Sequence, residues 1–476
     1  MVRVLFVASE SAPFIKSGGL GEVIYSLSKE IKKIDIDAGV ILPKYSEIPF
    51  NFQKEMKKLY AFNVNVGWRN QYCGIEYLEL DGVPFYFVDN EYYFKRCGMY
   101  GHYDEAERFA FFCRAVIESL EYIDFLPDII HCHDWQTGMV APMLRIDYPK
   151  YNSIKTIYTI HNLYYQGVFP KEILEDLLGL DESTFNISGL EFYGGVNFMK
   201  GGLNYSDIIT TVSRNYSEEI KTPLYGERLD DILRSKSNIL FGIENGIDYS
   251  IHNPSTDPYI YQKYDVNTID LKVKNKLALQ KELGLTVDSN IPMIGMVTRL
   301  VKQKGIDILL SRLEKIIKKD LQIVILGTGD KHYEDMLYEM KAQYPEKVSV
   351  NIMFADRLAH KIYAASDIFL MPSLFEPCGL GQMIASKYGA IPIVRETGGL
   401  KDTVIPYNEY TKEGTGFSFK NYNPGELNNT IDYAIKFYND KEVWRRIMQN
   451  AMNLDNSWKK SSGKYKELYL KVMEEK

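Results

Sequence analysis

The chain has 476 residues, 45% hydrophobic and 25% charged, with a formal net charge of −7. That length accommodates two domains with large cores, and the acidic balance argues against a general nucleic-acid binder. Five scattered cysteines (Cys73, Cys97, Cys113, Cys132, Cys378) without a CxxC spacing, no membrane-length apolar run and no signal-peptide layout point to a cytoplasmic protein outside membranes.

In chain order, Val2–Ala8 is predicted as a buried strand, followed by Lys16-Ser17-Gly18-Gly19-Leu20 ahead of an amphipathic helix. Two glycines let backbone approach a ligand there, and Lys16 adds a point charge. Further strands are expected at Ala38–Leu42, Phe85–Val88, Ile129–His131, Thr156–Ile160 and Ile208–Val212, with helical patterns at Glu105–Tyr122 and Thr137–Arg145. This alternation predicts a doubly wound α/β domain over residues 1–246. After a stretch rich in Asn, Pro, Tyr and Asp, strands recur at Met293–Val297, Gln322–Leu326, Val348–Phe354, Ile368–Met371 and Ile391–Val394. They predict a second sheet of the same kind over 247–456. The tail, 457–476, is helical in pattern.

The most informative stretch is FLMPSLFEPCGLGQMIASKYGAIPIVRETGGLKDTV, Phe369 to Val404. It reads as a strand, a loop with Glu376, Pro377, Cys378 and Gly379, a helix from near Leu380 to Gly389, a second strand, and the turn Gly398-Gly399. Polar and glycine-rich residues thus gather at the carboxyl ends of strands, where open α/β sheets bind ligands. Free amides before a helix suit a phosphate, and a carboxylate suits sugar hydroxyls. A sugar attached to a phosphate fits both. Arg299 and Lys304 follow another strand and suit two phosphates, the arginine by a fork of donors. Gly327, in a turn after a strand, leaves room for a nucleotide. His131 and His133 alternate onto one face of a strand, and His161 closes the next strand. Zinc is one reading of these histidines, but no cysteine or carboxylate completes a ligand spacing, so no metal is expected.

Together KSGGL, YGHYDEAERF, HCHDWQ, YTIHN, ENGID, TRLVKQKG, FEPCGLGQ and TGGLKDTV resemble the bacterial glycogen synthase and plant starch synthase family, across nearly the whole chain. The resemblance implies the GT-B architecture, two Rossmann-like domains facing an interdomain cleft, with the C-terminal helix returning to the first domain. It implies transfer of glucose, with retention of configuration, from ADP-glucose to the non-reducing 4-OH of an α-1,4-glucan, with no cofactor and no metal. Lys16, His161, Arg299, Lys304 and Glu376 would be catalytic. Gly18, Gly19, Asn245, Gly327, Phe354, Cys378, Gly379, Leu380 and Gly398 would bind the donor, Phe354 against the base. Glu22, Tyr93 and Asp134 would contact the acceptor.

Three positions depart from most relatives: Glu22 stands in place of an aspartate, Gln136 in place of a histidine and Gly381 in place of a threonine. Ile384, eight residues after Glu376, stands where many GT-B transferases carry a second glutamate, against a sucrose-synthase-like branch. The alternatives are a UDP-sugar-dependent GT-B glucosyltransferase and a non-catalytic glucan-binding relative. An intact set of cations for a diphosphate speaks against the second. Nucleic acid and membrane are not expected partners, and the sequence leaves oligomeric state open.

Overall fold

Val2–Val7 carries four consecutive fully buried residues, Val4 to Val7, and lies at the middle of a sheet. Strands covered on both faces read as continuous apolar runs, and parallel strands are of this kind. The computed structural model describes residues 1–474 and divides into two units. One is Met1–Asn245 together with the segment from Trp458, and the other is Gly246–Ser457.

Among the described residues the first unit holds a nine-stranded sheet. In spatial order its strands are Leu240–Gly242, Ile208–Thr211, Lys155–Ile160, Ile129–His133, Val2–Val7, Ile36–Pro43, Val83–Asp89, Arg69–Leu80 and Lys57–Val66. The first seven run parallel, with Val4 opposite Ala38 on one side and Ile129 on the other. The last two form an antiparallel hairpin at the edge, which the sequence reading did not anticipate. The helix Trp458–Glu474 buries Trp458, Tyr465, Leu468, Tyr469 and Val472 in the core of this unit.

The second unit holds six parallel strands in the order Val348–Asn351, Gln322–Leu326, Met293–Val297, Ile368–Met371, Ile391–Arg395 and Phe417–Phe419, among the described residues. Two predicted elements are corrected. The strand expected to reach Phe354 ends at Asn351, and Phe354 is 75% exposed. The helix expected at Thr137–Arg145 is a 3-10 turn, Trp135–Thr137, followed by a helix at Val140–Asp147. Thr137 Oγ1 donates to the carbonyls of His133 and Asp134, which closes that turn before the helix begins.

Both sheets reverse direction beside their first strand. In the first unit the chain leaves Val2–Val7 toward one edge and returns on its other side at Ile129–His133. In the second it leaves Met293–Val297 and returns at Ile368–Met371. The loops after these four strands therefore flank the two switch points, where such sheets bind ligands. No helix among the described residues is long and apolar enough to cross a membrane.

Candidate functional site

In the second unit, the loops following the two switch-point strands are tied together. Lys304 Nζ donates to Glu376 Oε2 at 2.6 Å, and Ser373 Oγ donates to the same oxygen at 3.1 Å. Leu374 N donates to the Gln303 carbonyl at 2.8 Å. The buried Arg395 guanidinium donates to the Ser373 carbonyl at 2.8 Å, and also to that of Leu374, from beneath the loop. Glu376 is thus a buried carboxylate in a rigid turn, with one cation already opposite it. Arg299 is exposed at the end of its strand.

Glycines make this crowding possible. Gly398 has φ +44°, and a Cβ there would lie 2.0 Å from the Glu376 carbonyl oxygen. Gly327 has φ +154°, and its Cβ would lie 1.7 Å from the Thr298 carbonyl oxygen. No side chain fits either place, so backbone packs directly on backbone. Cys378 is buried, and Gln382 Nε2 donates to its carbonyl and to that of Gly379, at 3.1 and 2.8 Å. Leu380 lies between Gly379 and the helix Gly381–Lys387.

In the first unit, the loop after Val2–Val7 wraps around a carboxylate that the sequence reading missed. Glu10 is buried and accepts from Ser17 N at 2.8 Å, Ser17 Oγ at 2.7 Å and Gly21 N at 3.1 Å. Burial pushes its carboxyl up, against those hydrogen bonds. Its place just past a predicted strand end, seven residues before Ser17, was the available signal. Lys16 Nζ pairs with Glu22 at 2.9 Å, so the catalytic and acceptor-side candidates of this loop meet. Gly18 is extended, and a Cβ there meets nothing within 4 Å. Gly19 is the first residue of the helix Gly19–Lys32.

The second loop of this unit begins at Asp134, held at φ +58°. Its carboxylate accepts from His161 N at 2.8 Å and Asn162 N at 3.3 Å, locking two neighbouring strand ends together. Burial raises the Asp134 carboxyl to about 7. His161 Nε2 lies 2.9 Å from His133 Nδ1. His131 faces Thr159 Oγ1 at 2.6 Å and the Tyr469 hydroxyl of the C-terminal helix at 2.8 Å. Asn245 is buried, with its Oδ1 lacking a partner among the described residues. Among those residues no group of three or more His, Cys, Asp and Glu side chains could hold a metal ion.

Tyr93 is a correction. Its ring is fully buried and its hydroxyl donates to Glu107 at 2.6 Å, so it offers a glucan no surface. Phe354, in contrast, presents its ring to solvent from the loop after Val348–Asn351, the edge strand of the second sheet.

The chain matches the family model described as "Starch synthase catalytic domain" over residues 3–235, and the one described as "Glycosyl transferases group 1" over 283–452. A glycogen synthase of Desulforamulus reducens is 56% identical over 475 residues, 99% of each chain. One from Clostridium botulinum strain Alaska E43 is 57% identical over 472 residues, 98% of this chain and 99% of that one. Among solved structures, the catalytic domain of starch synthase IV from Arabidopsis thaliana, bound to ADP and acarbose, superposes with a TM-score of 0.94 at 34% identity, covering 99% of both chains. A sucrose-phosphate synthase from Thermosynechococcus elongatus, at 16% identity and a TM-score of 0.65, shares the fold. That fold is GT-B.

Proposed function

We propose, since this chain belongs to the glycogen synthase and starch synthase family, that it moves glucose from ADP-glucose to the non-reducing 4-OH of an α-1,4-glucan with retention of configuration. The observation that carries this reading is the Lys304–Glu376 pair at a switch point, a cation for phosphate beside a carboxylate for sugar hydroxyls. The related starch synthase held with ADP and acarbose supports a nucleotide and a glucan as the two ligand classes. Five cysteines that form no disulfide among the described residues, and a nucleotide-sugar substrate, fit a cytoplasmic enzyme.

The Glu376 carboxylate is engaged by an ammonium and a hydroxyl. The retaining transfer is read as a same-face displacement. The departing diphosphate oxygen takes the acceptor proton while the anomeric carbon becomes oxocarbenium-like. Lys16, Arg299, Lys304 and the amides of Gly18, Gly19, Gly379 and Leu380 stabilise charge on the leaving diphosphate, and His161 and Glu376 hold the glucose. Lys16 and Lys304 each rest against a carboxylate at 2.9 and 2.6 Å, so diphosphate binding redistributes charge that is already in place.

One incubation tests the reaction. Labelled ADP-glucose or UDP-glucose is offered with glycogen, with and without exhaustive chelation. Incorporation is expected from ADP-glucose and to be indifferent to the chelator. Preference for UDP-glucose, or activity lost to chelation and restored by zinc, overturns the corresponding part of the reading.

Glu376→Gln keeps size but exchanges a charged acceptor for an amide, and charge-assisted hydrogen bonds are roughly twice as strong as neutral ones. Turnover is expected to fall far more than affinity for ADP, which carries no glucose. Calorimetry with ADP beside initial rates checks this. Loss of both together would mean that the carboxylate serves the loop through Lys304 and Ser373 and not the sugar.

A further inference from the structure

The His133 ring is fully buried, lying flat against Phe6 with centroids 5.8 Å apart and beside His131 at 4.2 Å. Its Nδ1 meets His161 Nε2 at 2.9 Å, and its own Nε2 has no partner among the described residues. Burial drives both imidazoles well below their ordinary range, His161 to about 3. Each ring is therefore neutral at neutral pH and carries a single N–H.

Two arrangements satisfy the contact between them. If His161 donates, the His133 proton sits on Nε2, a buried N–H with nothing to receive it. If His133 donates, its buried Nε2 is left as a bare lone pair and the unmatched N–H moves to the half-buried His161. Orphaned buried N–H groups are the rarer of the two in folded proteins, and a stranded donor carries its full desolvation cost. The second arrangement wins. It also dictates the proton on the next ring, because His161 Nε2 then accepts and the His161 proton must lie on Nδ1. That nitrogen has no partner among the described residues, and His161 is only half-buried. The backbone N–H of His161 is fixed by Asp134 at 2.8 Å, so the residue is held from its main chain and from its ring at once.

From this geometry we infer that His133 is a positioning residue that donates from Nδ1 to His161 and fixes His161 as an Nδ1–H donor toward a sugar hydroxyl. The inference rests on the reading of His161 as a glucose contact and adds the residue that sets its polarity.

The test is made on the unliganded full-length protein with 15N-labelled histidine, in which protonated and bare ring nitrogens give separate signals, His161 being identified with His161→Ala. A protonated Nδ1 and a bare Nε2 on His161 are expected. A proton on Nε2 overturns the inference whatever the rates are. His133→Asn places an amide N–H near the Nδ1 position and is expected to keep the His161 tautomer and most of the turnover. His133→Gln reaches toward the Nε2 position instead and is expected to lose the tautomer and on the order of tenfold in kcat, with ADP affinity kept. That is less than the roughly 10⁴-fold loss when a serine-protease triad loses its tautomer-holding carboxylate, because here the ring transfers no proton. If the tautomer changes in His133→Gln and turnover does not, the role of His161 in holding glucose is what fails. If that variant does not fold, the wild-type spectrum alone decides.

Discussion

Lys304→Ala is expected to lose at least about 10²-fold in kcat/KM, a loss comparable to deleting a strong oxyanion donor. Charge on the diphosphate grows as the bond to glucose breaks, so an ammonium there matters more in the transition state than in the ground state. The same change removes the cation opposite Glu376, a carboxylate with only 8% of its side chain exposed. Breaking a buried pair from one side costs roughly 3–5 kcal/mol, because the remaining charge is stranded. Ser373 still donates to Glu376 at 3.1 Å and offsets part of this. Lys304→Ala should therefore be both slower and less heat-stable. Arg299 is exposed, so Arg299→Ala should show a similar kinetic loss with an unchanged melting temperature. Initial rates and thermal melts on the two variants check this, and near-wild-type turnover in both would place the clamp elsewhere.

Gly398→Ala is the second change with a large expected effect. The new methyl would sit 2.0 Å from the Glu376 carbonyl oxygen, at a φ of +44° that side chains rarely adopt. Backbone cannot rotate away as a side chain can, so the turn or the glutamate loop must shift. A destabilisation on the order of 4 kcal/mol is at the extreme for single substitutions, and for a unit of this size it lowers the melting temperature by about 10 °C. ADP affinity should fall with it, since the displaced loop carries Cys378, Gly379 and Leu380. Gly18→Ala is the contrast: its Cβ meets nothing within 4 Å, so stability should hold while donor binding suffers. A Gly398→Ala protein with unchanged melting and ADP affinity would show that the turn does not brace the loop.

What the sequence displayed and what it hid divide along physical lines. The parallel strands were visible because burial on both faces leaves uninterrupted apolar runs such as Val4 to Val7 and Ile323 to Leu326. Gly327 and Gly398 were visible as turn residues, and the structure adds the reason, a neighbouring carbonyl where a side chain would go. The hairpin Lys57–Val66 and Arg69–Leu80 escaped notice because its outer strand is largely exposed and shows no clean alternation. Glu10 escaped because a buried carboxylate looks, in one dimension, like any solvated one. The Lys304–Glu376 contact joins residues 72 apart, and no local pattern encodes such a pairing. Tyr93 sat in a motif-rich neighbourhood, but neighbourhood in sequence does not say which way a ring points.

The chain passes from the first unit to the second after Asn245 and comes back after Ser457 to add one helix. The ribosome therefore releases the nine-stranded sheet long before it releases Tyr465, Tyr469 and Val472, which fill its core. Domains generally fold in the order they are made, yet here the earlier one receives part of its core only after the later has been made. Until Tyr469 arrives, one ring nitrogen of the buried His131 lacks the hydroxyl that meets it in the folded protein. Synthesis order thus places a check on assembly: a chain that stalls within its final helix has a complete second unit and an unfinished first.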